Sequence, residues 1–432
     1  MTIRLHRTAF AGLAASLLSI TGMVGLAMAQ QTTISFFTGN DEATVAVTEQ
    51  LVADFEAANP DIKVEIEIGP GGTERDNMVK TRLATGSMND VFLYNSGSLF
   101  QAINPAQSLV DLTNEPWQAE VQNSFKLVVT APDGTVRGAP IQNAMGGGFF
   151  YNIPIYEELG LSIPKSWAEF MANSEKIKAA GKAAPVIQTY TDTWTSQVLF
   201  LGDYYNVQSK DPEFANRYTA GEAKFATDPG GIRSFEKLAE LSAAGYLNED
   251  YGAAVLADGL RMIALGEGAH YPMLTFGLAT VAQNYPDNVE DVGFFAIPGD
   301  DPADNGLTIW LPNGIYIPAA STNQEAAKRF VAFVASQEGC ASQVKGGAVT
   351  GPFLVNGCEL PADVPRGVAD MLPYFEAGNT APALEFLSPI KGPALEQITV
   401  EIGSGTRSAA DGAALYDEDV RKQAQQLGLP GW

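Results

Sequence analysis

The chain has 432 residues, 26 of them basic and 50 acidic, for a formal net charge of −24 at pH 7. So acidic a surface excludes nucleic acid as a partner, because phosphates need Lys and Arg to displace their counterions; solubility accounts for it. The length exceeds what one core of ordinary size organises, so two domains are expected.

Arg4, His6 and Arg7 precede an uncharged stretch from Thr8 to Asn40, apolar over roughly residues 9–27 and closing on Ala27-Met28-Ala29. Basic, apolar and small-residue regions in that order read as a secretory signal peptide over residues 1–29, cut after Ala29. The alternative is a membrane anchor, which Gly12, Gly22, Gly25, Ser16, Ser19 and Thr21 weaken. No Cys lies near the cut, so no lipid attachment is expected, and the compartment is the periplasm of a Gram-negative cell. Cys340 and Cys358, 18 residues apart, are expected to form a local disulfide there, the alternative being two buried thiols. His270 is the only histidine beyond the leader and no C-x-x-C occurs. Neither a metal nor a cofactor is expected.

After the leader, Thr33 to Phe37 read as a strand that stops at Gly39. Val45, Leu51, Val52 and Phe55 recur at helical spacing until Asn59-Pro60. Ile62, Val64, Ile66 and Ile68 alternate with charged residues as a strand with one wet face. A helix over roughly residues 74–85 leads to a strand at Val91 to Tyr94. This alternation implies right-handed crossovers, a mainly parallel sheet and an α/β fold class.

A second region begins after Pro140. Ser166 with Glu169 forms a capping box for a helix ending near Gly181. Pro185-Val186-Ile187 reads as a short strand, and residues 194–205 and 232–244 as helices. Strand-rich sequence returns at Val292 to Pro298 and Gly314 to Pro318, followed by a helix over residues 324–336 and helical sequence after Gly351. Neither repeats nor a low-complexity linker interrupts the chain.

Several segments coincide in order with the landmarks of a known family. They are Phe36-Phe37-Thr38-Gly39-Asn40, Phe55 to Val64, Asn89-Asp90-Val91-Phe92, Leu109 to Thr113, Phe149-Phe150-Tyr151-Asn152, Ile163 to Trp167, Gly266 to Met273 and Ala326 to Phe330. On these residues the chain resembles family 1 extracellular solute-binding proteins, the group that includes maltose-binding protein. His270-Tyr271-Pro272 before Met273 departs from the commoner Ala-Ala-Met form. The resemblance implies two α/β lobes around a central ligand cleft, closing about hinge crossovers near 138–147, 271–276 and 336–351. An N-terminal lobe of residues 30–140 and 276–336 and a C-terminal lobe of 141–275 and 337–432 follow. It further implies a monomer that captures a sugar, an oligosaccharide, and delivers it to the membrane permease of an ABC importer.

Ligands of open parallel sheets bind at the C-terminal ends of strands, and sugars need planar polar groups and flat aromatic faces. The candidates are Asn40, Asp41 and Glu42 after the first strand, with Asp41 as a helix cap the alternative reading, and Tyr94, Asn95 and Ser96 after the third. Gln142 and Asn143 lie at the first crossover, beside the flexible Gly146-Gly147-Gly148. Trp194, ringed by polar residues, is a stacking platform or else a half-buried core residue. Tyr271, Thr275, Trp310 and Asn313 complete the set, while Trp167 and His270 are assigned to packing.

Three other readings compete. A secreted carbohydrate-active enzyme needs two opposed carboxylates, but no catalytic signature is present; Tyr94 and Ser98 occupy the glycine positions of a G-x-S-x-G elbow. A ferric-iron binder would use adjacent tyrosines such as Tyr204-Tyr205. A polyamine binder would exploit acidic cleft residues.

Overall fold

The computed structural model describes residues 31–347 and 349–432, so the signal peptide read over residues 1–29 lies outside the described residues. In chain order the strands are β1 (Thr32–Thr38), β2 (Ile62–Ile68), β3 (Val91–Tyr94), β4 (Gly138–Ile141), β5 (Met145–Asn152), β6 (His270–Leu274), β7 (Val292–Ala296), β8 (Leu307–Trp310), β9 (Asn313–Tyr316) and β10 (Thr380–Pro382). One sheet has the order β2-β1-β3-β9-β4. The other runs β10-β8-β5-β6, with β7 also paired to β5.

The first sheet follows from the alternation at the N-terminus. β1 pairs in parallel with β2 and β3, and α1 (Glu42–Ala58) and α2 (Gly72–Thr85) make the connections. β9 enters antiparallel between β3 and β4. The C-terminal ends of β1 to β4 and the N-terminal end of β9 therefore share one edge. Phe330, on the helix Gln324–Val334, meets Phe36 and Phe55 edge-on at 5.3 and 5.1 Å and locks that helix and α1 onto the sheet.

The second sheet is organised by β5, buried along its whole length and antiparallel to β6, β7 and β8. Gly146-Gly147-Gly148 lies inside this strand. A Cβ on Gly147 would stand 2.2 Å from the Trp310 ring, and one on Gly148 2.6 Å from the Phe294 ring. These glycines therefore seat the rings of neighbouring strands. The helix Trp167–Ala180 starts as expected, with Ser166 Oγ accepting the Glu169 N–H at 3.3 Å; the Glu169 carboxylate takes the N–H of Lys165 instead of Ser166. Pro185 to Ile187 forms only a single bridge, Val186 with Leu247. The 194–205 segment divides into a short 3-10 turn and two short helices.

The lobe boundaries differ from the expected ones in two places. The chain passes from β4 to β5 over residues 142–144, as anticipated. It does not return at 271–276, because β7 and β8 pair with β5, and the passage back falls at Leu311-Pro312 before β9. Nor does it leave at 336–351. The helix Gln337–Gly346 packs on α1, where a Cβ on Gly346 would stand 2.7 Å from Val47 Cα, and Gln122 N–H donates to Leu354 O at 2.9 Å. The final passage lies between Cys358 and the helix Arg366–Ala369, whose Val368 packs with Val292. Residues 31–141 and 313–358 thus build one lobe, 145–310 and 366–432 the other. Short apolar strands such as β7 and β8 fit either sheet by pattern alone, and only their pairing decides.

Cys340 and Cys358 are bonded, closing a loop of sequence separation 18 between the Gln337–Gly346 helix and the strand-like segment after it. Loop-closure entropy predicts that the double variant Cys340→Ser/Cys358→Ser loses about 3 kcal/mol of stability, read from urea denaturation; an unchanged midpoint would exclude that contribution.

His270 is fully buried on β6, its Nδ1 2.8 Å from Pro185 O and its Nε2 2.7 Å from the Tyr156 hydroxyl. The carbonyl makes Nδ1 the donor, so Nε2 accepts and the ring is neutral. Burial holds its pKa down to about 3. The unfolded chain binds a proton near 6.5, so stability falls as pH drops below that value. Between pH 7 and 5.5 the loss should be about 1 kcal/mol, and His270→Gln should abolish it; equal losses in both proteins would refute the assignment.

Candidate functional site

The shared edge of the first sheet faces the second lobe, and the loops leaving it form one wall of a cleft. Asp41 caps α1, its Oδ1 accepting the Thr44 N–H at 2.9 Å. Its other oxygen points toward Gly39, on which Arg75 also lies. Asn40 is exposed beside Gly71. Glu42 accepts a hydrogen bond from Asn284 of the opposite lobe. The cap reading of Asp41 is realised, and the same residue lines a pocket between the lobes.

Tyr94 ends β3 fully buried, with its hydroxyl beside the Asp76 carboxylate. Burial raises its pKa well above the ordinary phenol value, and the neighbouring Asp76 carboxylate adds to the rise. Asp76 itself is raised by burial, and Arg75 beside it is lowered by the same cause. Asn95 offers its carbonyl to the Tyr316 hydroxyl at 3.0 Å and its side chain is half-buried. Ser96 is a correction: its hydroxyl is spent on Pro312 O at 2.8 Å and is buried.

Gln142 holds φ of 70°, one of two described non-glycine residues in the left-handed region, at a cost of about 1–2 kcal/mol. The surrounding bonds enforce it. Its N–H donates to Gln343 Oε1 at 2.7 Å, its Nε2 to Thr44 Oγ1 at 2.7 Å, and its Oε1 accepts from Asn313 Nδ2 at 2.9 Å. Asn143 is buried; its Oδ1 accepts the Thr350 N–H at 3.3 Å and its Nδ2 is left without a partner among the described residues. Gln142 and Asn143, with Asp41, Met145 and Phe276, line a pocket between the lobes beside the first crossover.

The opposite wall comes from the second lobe. Trp194 is half-buried, its ring 5.9 Å from that of Phe276 and its edge against Gly72 of α2. Trp310 packs with Met145 and Ala383 and donates its indole N–H to Glu385 Oε1 at 2.5 Å. Lys391 reaches the other Glu385 oxygen at 3.1 Å. Glu396 accepts from Thr193 at 2.6 Å in its own lobe and from Thr73 at 3.0 Å across the cleft.

Tyr271 and Thr275 leave the candidate set. Tyr271 is fully buried over Gly259, its hydroxyl 2.7 Å from Thr189 Oγ1. Thr275 Oγ1 accepts the Gly146 N–H at 3.1 Å and donates to Thr350 O at 2.8 Å, tying β5 of one lobe to a segment of the other. Tyr204 and Tyr205 do not converge either: the first is in the second-lobe core, the second lies over Gly306. Arg75, Asp76, Phe276, Glu385, Lys391 and Glu396 were not singled out from sequence. Arg75 and Asp76 had a signal: they follow β2, the one strand end of the first three whose loop was passed over.

A family model described as bacterial extracellular solute-binding protein matches residues 39–339. The multiple sugar-binding protein of Streptococcus mutans is 25% identical over 316 residues, covering 70% of each chain. Among solved structures, a chitin oligosaccharide binding protein superposes with a TM-score of 0.77 at 21% identity, over 92% of this chain and 100% of the other. RafE in complex with raffinose does so with 0.74 at 22% identity, again over 92% and 100%. The match spans well over half the sequence, and the two-lobed fold agrees with it: this chain belongs to the bacterial extracellular solute-binding proteins.

Proposed function

We propose that this chain is the substrate-capturing component of an ABC importer, exported to the periplasm after cleavage following Ala29. It takes an oligosaccharide as a monomer and passes it to a membrane permease. The observation that carries this is the cleft's composition. Aromatic faces at Trp194 and Phe276 stand among carboxylates and amides from both lobes, the combination that holds a sugar ring by its C–H face and its hydroxyls. The sugar ligands named for the similar proteins support the same reading. Contacts from both lobes drive closure, since a ligand shifts the open–closed balance only by its differential affinity for the two states.

Asp76 and Glu396 are carboxylates on opposite walls, the residue pair that a hydrolase would draw on. The reading here is binding without turnover, so a bound oligosaccharide should be recovered intact by chromatography after prolonged incubation. Carboxylates Asp41, Glu42, Asp76, Glu385 and Glu396 outnumber the cations Arg75 and Lys391 at the cleft, the one observation that favours a polyamine instead.

A thermal-shift screen should raise the melting temperature with oligosaccharides such as raffinose or chitin oligomers; a rise with putrescine and none with sugars would reverse the assignment. Trp194→Ala should weaken sugar binding by about 1.4–3 kcal/mol, tenfold or more, while moving the melting temperature of the free protein little. Equal loss of stability and affinity would mark Trp194 as a core residue. Small-angle scattering should show the molecule compact on adding the bound sugar, and an identical profile at saturation would count against hinge closure.

A further inference from the structure

We infer that the Cys340–Cys358 bridge is a positioning device for the hinge. It holds the segment that grips the first crossover, and its loss slackens the joint and weakens ligand capture. The positioning follows from the fold, and only the effect on capture rests on the binding reading above. The crossover from β4 to β5 consists of residues 142–144, and each is bonded to a residue enclosed by the bridge. Gln142 N–H donates to Gln343 Oε1 at 2.7 Å, Asn143 Oδ1 accepts the Thr350 N–H at 3.3 Å, and Ala144 N–H donates to Pro352 O at 2.8 Å. Thr350 O also accepts the Thr275 hydroxyl of the second lobe at 2.8 Å. Backbone meets backbone here, since a Cβ on Gly351 would stand 1.8 Å from Ala144 O.

Little besides the bridge fixes the gripping segment itself. Residues 349–358 form no helix and make one isolated strand pairing, Val355 with Val121. Their backbone bonds to the rest of the first lobe gather at Leu354 and Asn356, on Gln122 and Glu120, beyond the residues that hold the crossover. Cys340, Val349, Phe353 and Val355 make a small apolar cluster apart from the main cores, with Cys358 packed against it. So few buried side chains contribute far less than a lobe core, and the covalent link supplies the rest. Cys340 lies on the same helix as Gln343, and Cys358 is the last residue of the first lobe before the chain leaves toward Arg366. The bridge thus fixes the segment at both ends. Without it, the groups at 343, 350 and 352 drift from a crossover whose Gln142 is held in the left-handed region by such bonds. Binding then has to order them again, and affinity falls by that entropy.

A bridge that only stabilises the fold leaves affinity unchanged while nearly all molecules are folded, because apparent affinity falls only with the competent fraction. Native protein is therefore compared, well below its melting transition, with Cys340→Ser/Cys358→Ser. A second comparison uses native protein reduced after folding by dithiothreitol, whose two thiols become a cyclic disulfide as the bridge takes up two electrons and two protons. That arm serves should the double variant not fold. Amide order parameters of ligand-free protein at Gln142, Ala144 and Thr350 should fall from the roughly 0.85 of rigid backbone toward about 0.6 without the bridge, while β1 amides stay rigid. Isothermal titration uses raffinose or the N-acetylglucosamine trimer, whichever binds native protein. The dissociation constant should be about fivefold higher without the bridge. Unchanged order parameters at the three amides, a fall spread evenly over the first lobe, or an unchanged dissociation constant overturns the inference and leaves solute capture standing. If neither sugar binds native protein, the sugar reading falls, and the order parameters alone decide the positioning role.

Discussion

The molecule is organised by the polar joint around the first crossover, where segments of both lobes are tied together. Close-packed apolar side chains resist displacement, whereas hydrogen bonds can be exchanged one for another. Thr275 joins β5 to the segment at Thr350, and Gln142 joins α1, β9 and the Gln337–Gly346 helix through three bonds of 2.7 to 2.9 Å. Gln142 is held in the left-handed region by those bonds. Backbone strain of this kind persists only where the surroundings over-determine it, and it gathers at sites that move or bind. The same residue lines the pocket between the lobes, so the strained joint and the ligand cleft share an atom set.

The ionisable groups of the cleft sit in contrasting settings. Burial pushes Asp76 upward and Arg75 downward, toward their neutral forms, even with opposite charges nearby. Glu385 by contrast is served by both Trp310 and Lys391, a satisfied pair that supports the wall. Carboxyls that are poorly served by protein are the ones with bonding capacity to offer, and hydroxyl-rich ligands supply donors without demanding a countercharge.

Much of the fold was legible because its signals are local. The N-terminal strands and helices, the Ser166 cap, the Gln324–Val334 helix and the cysteine bridge each depend on residues close in sequence or of one type. Lobe membership was not legible at β7 and β8, since a short apolar strand carries no mark of its sheet. Gly146 to Gly148 misled for a related reason: a glycine run signals freedom or close approach, and only the structure reveals Trp310 and Phe294 filling the space. Among site residues, Asp41, Gln142 and Asn143 reach the cleft or the joint from loops after β1 and β4 that the strand-end rule picks out, whereas Trp194 was marked by its polar neighbours and Asn313 opens β9. Tyr271 and Thr275 share that neighbourhood in sequence but point into the protein. Glu385, Lys391 and Glu396 come from the C-terminal helical region, where one acidic residue looks like another until tertiary contacts single it out.

The closeness of the lobes adds one more constraint. A Cβ on Gly97 would stand 2.4 Å from Glu385 O across the cleft, and Gly97 holds φ of 72°. Both the turn after β3 and the approach of the opposite lobe thus require the absence of a side chain at one position. At Gly72 only the backbone, with φ of 56°, asks for glycine, since a Cβ there would meet Trp194 at an ordinary 3.5 Å. The lobes therefore meet through close backbone, an aromatic edge and a few polar side-chain bonds such as Glu396 with Thr73 and Glu42 with Asn284. Such an interface closes without large rotamer entropy loss and reopens without breaking an apolar core, which suits a protein that must release what it has captured.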